Sequence, residues 1–237
     1  MIVYGRNAVR EALRGRRSVS IVWATNAAAA GESWLREVEP RAADGAELEA
    51  LCGSQDHQGV CADVAEFEYA DPAGLLRADD ALVVVLDQVQ DPRNLGAVCR
   101  VAECAGATGV VIGERRAANV TPAVCRASAG AVEHLPLARV RNVADWLAQA
   151  KQEDAWVYGA SVAPESVPYD QPDYRGRVVL VLGSEGKGLR PRVAAACDRL
   201  VELPLRGSIE SLNVSAAASA LLYGILHLRA QPLDKVP

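Results

Sequence analysis

The sequence predicts a doubly wound α/β domain that follows a smaller α/β unit. In the second part of the chain, apolar runs alternate with helical patterns, and residues 81–87 form the continuous apolar run typical of a parallel strand buried on both faces. Residues 66–80 are acidic and contain a proline, which indicates a linker. We therefore expect a small domain over 1–67, a linker over 68–80 and the main domain over 81–237.

The front unit is predicted to combine short strands with helices. Residues 7–15 have the apolar spacing of a helix and end at Gly15, a typical helix stop. Residues 18–26 are predicted to form a strand, and residues 33–51 mix helical and turn signals. Residues 57–64 predict a turn followed by a strand.

The main domain alternates predicted strands and helices. The predicted strands are 81–87, 108–113, 135–140, 155–161, 177–183 and 199–205. The predicted helices are 94–107, 142–154, 190–197 and 213–228. Asn94 and Asn142 are placed to cap the helices that they open. This alternation indicates a parallel sheet with ligands at the carboxyl ends of its strands.

The composition sets limits on the class of protein. Half of the 237 residues are apolar, which suits one large domain or one medium domain with a small partner. No segment approaches the ~18 apolar residues of a membrane span, and the N-terminus lacks a signal-peptide pattern, so we expect a cytoplasmic protein. The six cysteines form no C-x-x-C pair, so we expect no metal site, and Cys99 and Cys104 are predicted to be buried thiols.

The charge is unevenly distributed along the chain. The net charge is −5, yet residues 1–17 hold five arginines against one glutamate, and residues 92–142 hold seven against three. Two such basic patches can attract a polyanion even on an acidic protein. On charge alone, a solvated surface with chance clustering remains an alternative.

Three loops carry polar residues away from predicted strand ends. The first brings Asn94 and Arg100, and Arg100 is the only charged residue in LGAVCRVA. Its guanidinium must pair or reach solvent, so a functional cation and an arginine at a helix edge both remain possible. The third loop places Ser211 and Asn213 at the start of an apolar helix, where they can cap the helix or bind a ligand.

The second loop, GSEGKG over 183–188, contains three glycines in six residues. Glycines at this density let the backbone approach a ligand closely, although a tight strand-to-helix turn has the same composition. The segment matches neither a P-loop nor the dinucleotide fingerprint. This disfavours an ordinary nucleotide-binding α/β enzyme.

Together, the three loops resemble the signature motifs of the SpoU family of RNA ribose 2′-O-methyltransferases, of the SPOUT class. The matching segments are NLGAVCR, GSEGKGLRP and LPLRGSIESLNVSAAASALLYGIL. The resemblance covers residues 81–230. The N-terminal VYGRNAVREAL, with HQGV, is similar to the small RNA-binding domain of family members that methylate a guanosine of large-subunit ribosomal RNA.

The resemblance implies a fold, a cofactor and a set of site residues. The fold would be a SPOUT-type parallel sheet with a C-terminal deep trefoil knot, preceded by a small α/β RNA-binding domain. S-adenosylmethionine would be the methyl donor, and a homodimer would complete each active site. The residues at catalytic positions are Asn94, Arg100, Glu185, Ser211 and Asn213. Those at cofactor positions are Leu182, Gly183, Leu203, Ile209, Leu212 and Asn213.

The implied substrate is RNA, with a guanosine of 23S rRNA as the expected target. We expect the segment 1–17 and exposed arginines of the main domain to hold phosphates. The residues predicted for this role are Arg6, Arg10, Arg93, Arg115, Arg116, Arg126 and Arg141. A tRNA ribose methyltransferase and a catalytically silent RNA-binding protein of ribosome assembly are the alternatives on the same fold.

Overall fold

The computed structural model describes residues 1–231, and its first part forms a four-stranded sheet in the order β1-β4-β2-β3. The strands are β1 (Ile2–Tyr4), β2 (Val19–Ala24), β3 (Arg41–Ala42) and β4 (Val60–Val64). The helices are α1 (Arg6–Arg14), α2 (Asn26–Gly31), α3 (Ser33–Glu37) and α4 (Gly45–Cys52). β4 pairs antiparallel with both β1 and β2, so it forms the centre of this small sheet.

The second part forms a seven-stranded parallel sheet in the order β7-β6-β5-β10-β8-β11-β9. Its strands are β5 (Leu82–Asp87), β6 (Gly109–Gly113), β7 (Leu137–Val140), β8 (Trp156–Ala160), β9 (Val167–Pro168), β10 (Val178–Gly183) and β11 (Arg199–Glu202). Its helices are α5 (Pro92–Cys104), α6 (Pro122–Ala127), α7 (Val143–Gln152), α8 (Pro191–Ala194) and α9 (Val214–Arg229).

The centre of this sheet is apolar on both faces. All six residues of β5 are buried, and its neighbour β10 is buried from Val178 to Leu182. Two apolar clusters cover the opposite faces, one containing α5 and α9 residues and the other containing α7 residues. The predicted α/β fold with a parallel sheet is therefore confirmed.

Three local predictions need correction. The helix predicted over 94–107 begins at Pro92, because Asp91 accepts a hydrogen bond from the Arg93 amide and Pro92 occupies the first helical position. Asn94 is therefore in the first turn and is not the cap, whereas Asn142 does cap α7. The strand predicted over 199–205 ends at Glu202.

The cysteines also differ in part from expectation. Cys99 is buried as predicted, and burial raises the pKa of its thiol. Cys104 is exposed instead, because it lies on the outer face of α5, one turn beyond Arg100. Burial raises the pKa of Cys125 to about 11 and that of Cys197 to about 12, so neither thiol is readily ionised.

The segment between the two sheets packs on the main domain. Ala70 forms a parallel bridge with Ala138 of β7, and the Tyr69 hydroxyl accepts a hydrogen bond from the Val120 amide at 2.9 Å. Leu75 and Leu76 are buried. The domain boundaries themselves stay a prediction.

The front unit contacts the main domain through charged side chains. Arg17 pairs with the fully buried carboxylate of Glu133, and its Nε donates to Glu133 Oε2 at 2.9 Å. Glu11 lies 2.9 Å from the Nε2 atom of His134. Among residues 1–231, no helix is long and apolar enough to cross a membrane.

Candidate active site

Three of the predicted polar residues form one hydrogen-bonded cluster at the carboxyl edge of the parallel sheet. Asn94 lies in the first turn of α5, Glu185 in the loop after β10, and Asn213 at the start of α9. The Nδ2 atom of Asn94 donates to Glu185 Oε1 at 3.1 Å. The Nδ2 atom of Asn213 donates to Asn94 Oδ1 at 3.0 Å and to Glu185 Oε1 at 2.5 Å. We call these three residues the amide–carboxylate cluster.

Asn213 also caps the helix that it opens. Its Oδ1 accepts hydrogen bonds from the Ser215 amide at 2.8 Å and from the Ser215 hydroxyl at 2.6 Å. Because the carbonyl end serves the helix, the amide end is left to point at Asn94 and Glu185. Capping and site formation are therefore two simultaneous roles of one side chain.

The glycine-rich loop, residues 183–190, is folded tightly against itself. A Cβ atom at Gly183 would overlap the main chain of Gly188. The Gly188 amide donates to the Ser184 carbonyl at 2.9 Å, and Gly186 and Gly188 have φ values of 76° and 62°. Only glycine adopts these φ values without strain and leaves room for the close approach.

This loop forms one wall of a cleft of about 520 Å³. Of the predicted cofactor residues, Leu182, Gly183, Leu203 and Leu212 line the cleft, and the predicted catalytic Ser211 also lines it. Ile209 does not line the cleft, and it is 75% exposed. Asn213 belongs to the cluster beside the cleft and not to its lining.

A smaller polar cavity of about 240 Å³ adjoins the cleft. Gln88, Asp91 and Asn94 line it, and Glu185 and Lys187 lie between the two spaces because they line both. No motif in the sequence indicates a role for Gln88 or Lys187. Gln88 has a φ of 61°, an unusual value for a residue other than glycine, which no pattern in the sequence indicates.

Arg100 is not part of the cluster within one chain. It lies six residues beyond Asn94 on α5, which places it about 120° round the helix. Its side chain is exposed and makes no hydrogen bond or ion pair within residues 1–231. Arg93, seven residues earlier, shares its face of α5.

The arginines predicted to bind RNA fall into two groups. The side chains of one group are exposed and form no hydrogen bond or ion pair with other described residues: Arg93, Arg115, Arg116 and Arg141. The other group is engaged within the protein: Arg6 pairs with Glu32, Arg10 pairs with Glu11, and Arg126 donates to the Asp56 carbonyl. The expectation that the whole segment 1–17 binds phosphates is wrong for Arg17, which is buried against Glu133.

Comparison with known proteins places these features in a family. The model of the SpoU rRNA Methylase family matches residues 81–223, and that of the RNA 2'-O ribose methyltransferase substrate-binding domain matches residues 2–70. The chain belongs to the SpoU rRNA methylase family. The N-terminal match covers the small sheet of this SpoU protein, and the other match covers the cluster and the cleft.

Curated relatives of this SpoU protein carry related descriptions. It is 41% identical over 187 residues to the 23S rRNA (guanosine-2'-O-)-methyltransferase RlmB of Coxiella burnetii, covering 76% of this chain and 73% of the relative. It is 35% identical over 241 residues to the uncharacterized tRNA/rRNA methyltransferase slr0955 of Synechocystis. That match covers 96% of this chain and 62% of the relative, so the chain spans less than two thirds of that protein's length.

A solved structure of similar shape contains the expected cofactor. The SpoU methyltransferase AviRb from Streptomyces viridochromogenes, in complex with AdoMet, superposes with a TM-score of 0.81 and 26% identity. The match covers 97% of this chain and 90% of AviRb. At the level of the family, the predictions of a SpoU protein, of an RNA methyltransferase and of S-adenosylmethionine as cofactor are confirmed.

Proposed function

We propose that this SpoU protein transfers a methyl group from S-adenosylmethionine to the ribose 2′ oxygen of a guanosine in 23S rRNA. The observation that carries the proposal is the position of the amide–carboxylate cluster directly beside a partly apolar cleft. The cleft suits a cofactor with an aromatic base, and the cluster suits a sugar with hydroxyl groups. A substrate in ribosomal RNA agrees with the predicted cytoplasmic location, which stays a prediction.

The cleft has the chemistry that S-adenosylmethionine requires. The closed turn at Gly183 exposes main-chain groups, which can hydrogen-bond the polar parts of a cofactor. Leu212 is 46% exposed and Val162 is 67% exposed, and both line the cleft. An adenine ring that covered these side chains would remove apolar surface from water. The bound cofactor would supply a methyl group already activated by a positively charged sulfur.

The cluster would orient the ribose. Glu185 accepts hydrogen bonds from two amide groups, which fixes its carboxylate at the boundary of the cleft and the polar cavity. A substrate hydroxyl entering the cavity could donate to this carboxylate and lie in line with the methyl group. Positioning of this kind can contribute about 7–11 kcal/mol to lowering the barrier.

Arg100 would act on the active site of a second copy of the chain. Arg100 is exposed on a different side of α5 from Asn94, and α9, which packs against α5, has an exposed stripe of Ala216, Ala220 and Tyr223. A homodimer formed through this surface would bring Arg100 to the partner's cleft. Because a guanidinium stays protonated in proteins, Arg100 would serve as a fixed cation that holds a phosphate and stabilises the forming alkoxide.

The return of the chain after β11 supports the predicted knot. β11 is separated from β10 by β8, yet α9 packs against α5, which follows β5 on the other side of β10. Residues 203–213 must therefore cross the carboxyl ends of the central strands. We infer that this crossing closes the deep trefoil knot implied by the family resemblance.

The proposal can be tested by methylation of purified RNA with labelled S-adenosylmethionine. We expect label at one guanosine of 23S rRNA, mapped by resistance of its 2′ oxygen to alkaline cleavage. Label in tRNA alone would favour the alternative substrate that the description of the Synechocystis relative includes. RNA binding without any cofactor binding would overturn the proposal in favour of a catalytically silent assembly protein.

A further inference from the structure

The contact between Asp87 and Arg190 lies beside the cleft and has no part in the proposed mechanism. Asp87 is the last residue of β5 and its side chain is fully buried, with 0% exposure. Arg190 ends the glycine-rich loop and precedes α8. The carboxylate accepts the Arg190 main-chain amide at 2.9 Å and its Nε at 2.8 Å, and the guanidinium NH2 lies 2.7 Å from Oδ1.

Both ends of the glycine-rich loop lie against Asp87. At the beginning of the loop, Gly183 pairs in register with Asp87 across β10 and β5. At its end, Arg190 binds the Asp87 side chain through main-chain and side-chain groups. The residues between them, from Gly183 to Leu189, all line the cleft. The two loop ends therefore meet at one residue, Asp87, which holds the first end through main-chain strand pairing and the second through its carboxylate.

The chemistry of the pair fits a positioning role better than a general contribution to stability. The Asp87 side chain is fully buried and the Arg190 side chain is 43% exposed, and the cost of desolvating a buried carboxylate offsets much of what such a pair adds to stability. What the pair adds is geometry, because one aspartate receives three directed, charge-assisted contacts from one residue. We infer that Asp87 and Arg190 are positioning residues, which hold the glycine-rich loop in the shape that binds the cofactor.

The inference rests on the proposed function, and binding of S-adenosylhomocysteine provides the test. Asp87→Asn keeps the shape of the side chain but removes the charge and places an amide against donors of Arg190. We expect it to weaken binding at least about tenfold, equivalent to about 1.4 kcal/mol, when titrated by calorimetry. Arg190→Lys keeps the main-chain contact and a positive charge, so we expect an intermediate loss. A general loss of stability would instead lower the fraction of protein able to bind and leave the affinity of the folded fraction unchanged.

Glu133→Gln provides a matched control. This substitution also removes a fully buried carboxylate from an ion pair, in this case the pair with Arg17. Neither Glu133 nor Arg17 lines the cleft. We expect this variant to unfold at a lower temperature while binding S-adenosylhomocysteine with unchanged affinity. If Asp87→Asn behaves in the same way, losing stability but not affinity, the inference is wrong.

Limited proteolysis gives a second measurement. Lys187 lies in the middle of the loop, so trypsin cleavage after Lys187 reports how firmly the loop is held. We expect faster cleavage at this bond in Arg190→Lys than in the parent protein and no change in Glu133→Gln, so the inference can be tested even if Asp87→Asn does not fold. Equal cleavage rates in all three proteins would overturn it. A parent protein that binds no S-adenosylhomocysteine would instead contradict the proposed function.

Discussion

The side-chain amide of Asn213 donates a hydrogen bond to Oδ1 of Asn94 at 3.0 Å, which joins the first turns of α9 and α5. The carbonyl of the same Asn213 side chain caps α9 through the Ser215 amide. The two ends of one amide group therefore serve stability and site geometry separately. A substitution that alters one end and leaves the other can distinguish these contributions.

Asn213→Asp should remove activity with little loss of stability. Aspartate caps a helix as well as asparagine does, but it cannot donate to Asn94 and it places a second carboxylate beside Glu185. We expect activity to fall about a hundredfold, as for other directed donors in active sites. Asn213→Ala should in addition lower the free energy of unfolding by about 1 kcal/mol. Methylation rates and thermal unfolding of both variants check this, and an active Asn213→Asp protein would remove Asn213 from the mechanism.

Arg100→Lys should lose most activity while retaining cofactor binding. Lysine keeps the charge but lacks the planar donor array that binds a phosphate and an alkoxide together. Calorimetric titration with S-adenosylhomocysteine and the methylation rate separate the two effects. Near-normal turnover in this variant would exclude the proposed role of Arg100.

Mixing two inactive variants tests whether Arg100 acts across a dimer. Arg100→Ala and Asn213→Asp damage different parts of the site, so a mixed dimer would contain one intact site. With random exchange of subunits, we expect about one quarter of the parent activity to return. Complete lack of recovery, in a mixture shown by mass spectrometry to contain mixed dimers, would place both residues in the same chain's site.

Much of the fold could be predicted because it depends on continuous apolar runs. The central strands β5 and β10 and the long helix α9 each coincide with an apolar segment of the sequence. The edge strand β9 has only two residues and no such run, so no sequence pattern predicts it. Helix α5 begins two residues before its predicted start, at Pro92, and a proline after Asp91 is a local signal for a helix start.

The sequence predicts part of the candidate site. The family motifs indicated Asn94, Glu185 and Asn213, which hydrogen-bond to one another in the structure. The position of Ile209 outside the cleft could not be predicted, because residues 203–213 have no regular structure and no period relates sequence position to side-chain direction. The role of Asp87 depends on its contact with a residue 103 positions away, which a sequence pattern does not reveal.

Cys104 should be the cysteine that reacts fastest with iodoacetamide. It is exposed, whereas burial raises the pKa of Cys125 to about 11 and that of Cys61 and Cys197 to about 12.

Because Cys104 shares the outer face of α5 with Arg100, a dimer through this face should slow its reaction as the protein concentration rises. The half-buried Cys52 of the front unit is an internal control whose rate should stay constant. Mass spectrometry of the labelled peptides measures both, and a concentration-independent rate at Cys104 in a proven dimer would place the interface elsewhere.

RNA binding should weaken steeply with salt through the exposed arginines. Arg116 is exposed and forms no ion pair within residues 1–231, so it is free to neutralise a phosphate. We expect Arg116→Ala to reduce the slope of log affinity against log salt concentration by about 1. Arg192→Ala is the control, because Arg192 is exposed but pairs with Asp145 at 2.6 Å. Fluorescence anisotropy with an rRNA fragment measures the slopes, and an unchanged slope in Arg116→Ala would remove this residue from the RNA surface.

Glu11 should make the stability of the protein depend on pH in the acidic range. Burial raises the pKa of this carboxyl, but hydrogen bonds from His134 and Arg10 and the charge of Arg14 outweigh it, so the pKa lies below its ordinary value of 4.5. A carboxyl with a lowered pKa in the folded state stabilises the protein above its ordinary pKa, and this contribution is lost as the pH falls through the folded-state pKa.

The difference in unfolding free energy between the parent and Glu11→Gln should therefore be constant just above pH 4.5 and shrink as the pH falls further. Urea unfolding across this range measures it, with Glu37→Gln, an exposed glutamate without an ion pair among the described residues, as the control. A difference that persists at the lowest pH would show that Glu11 acts through packing and not through its charge.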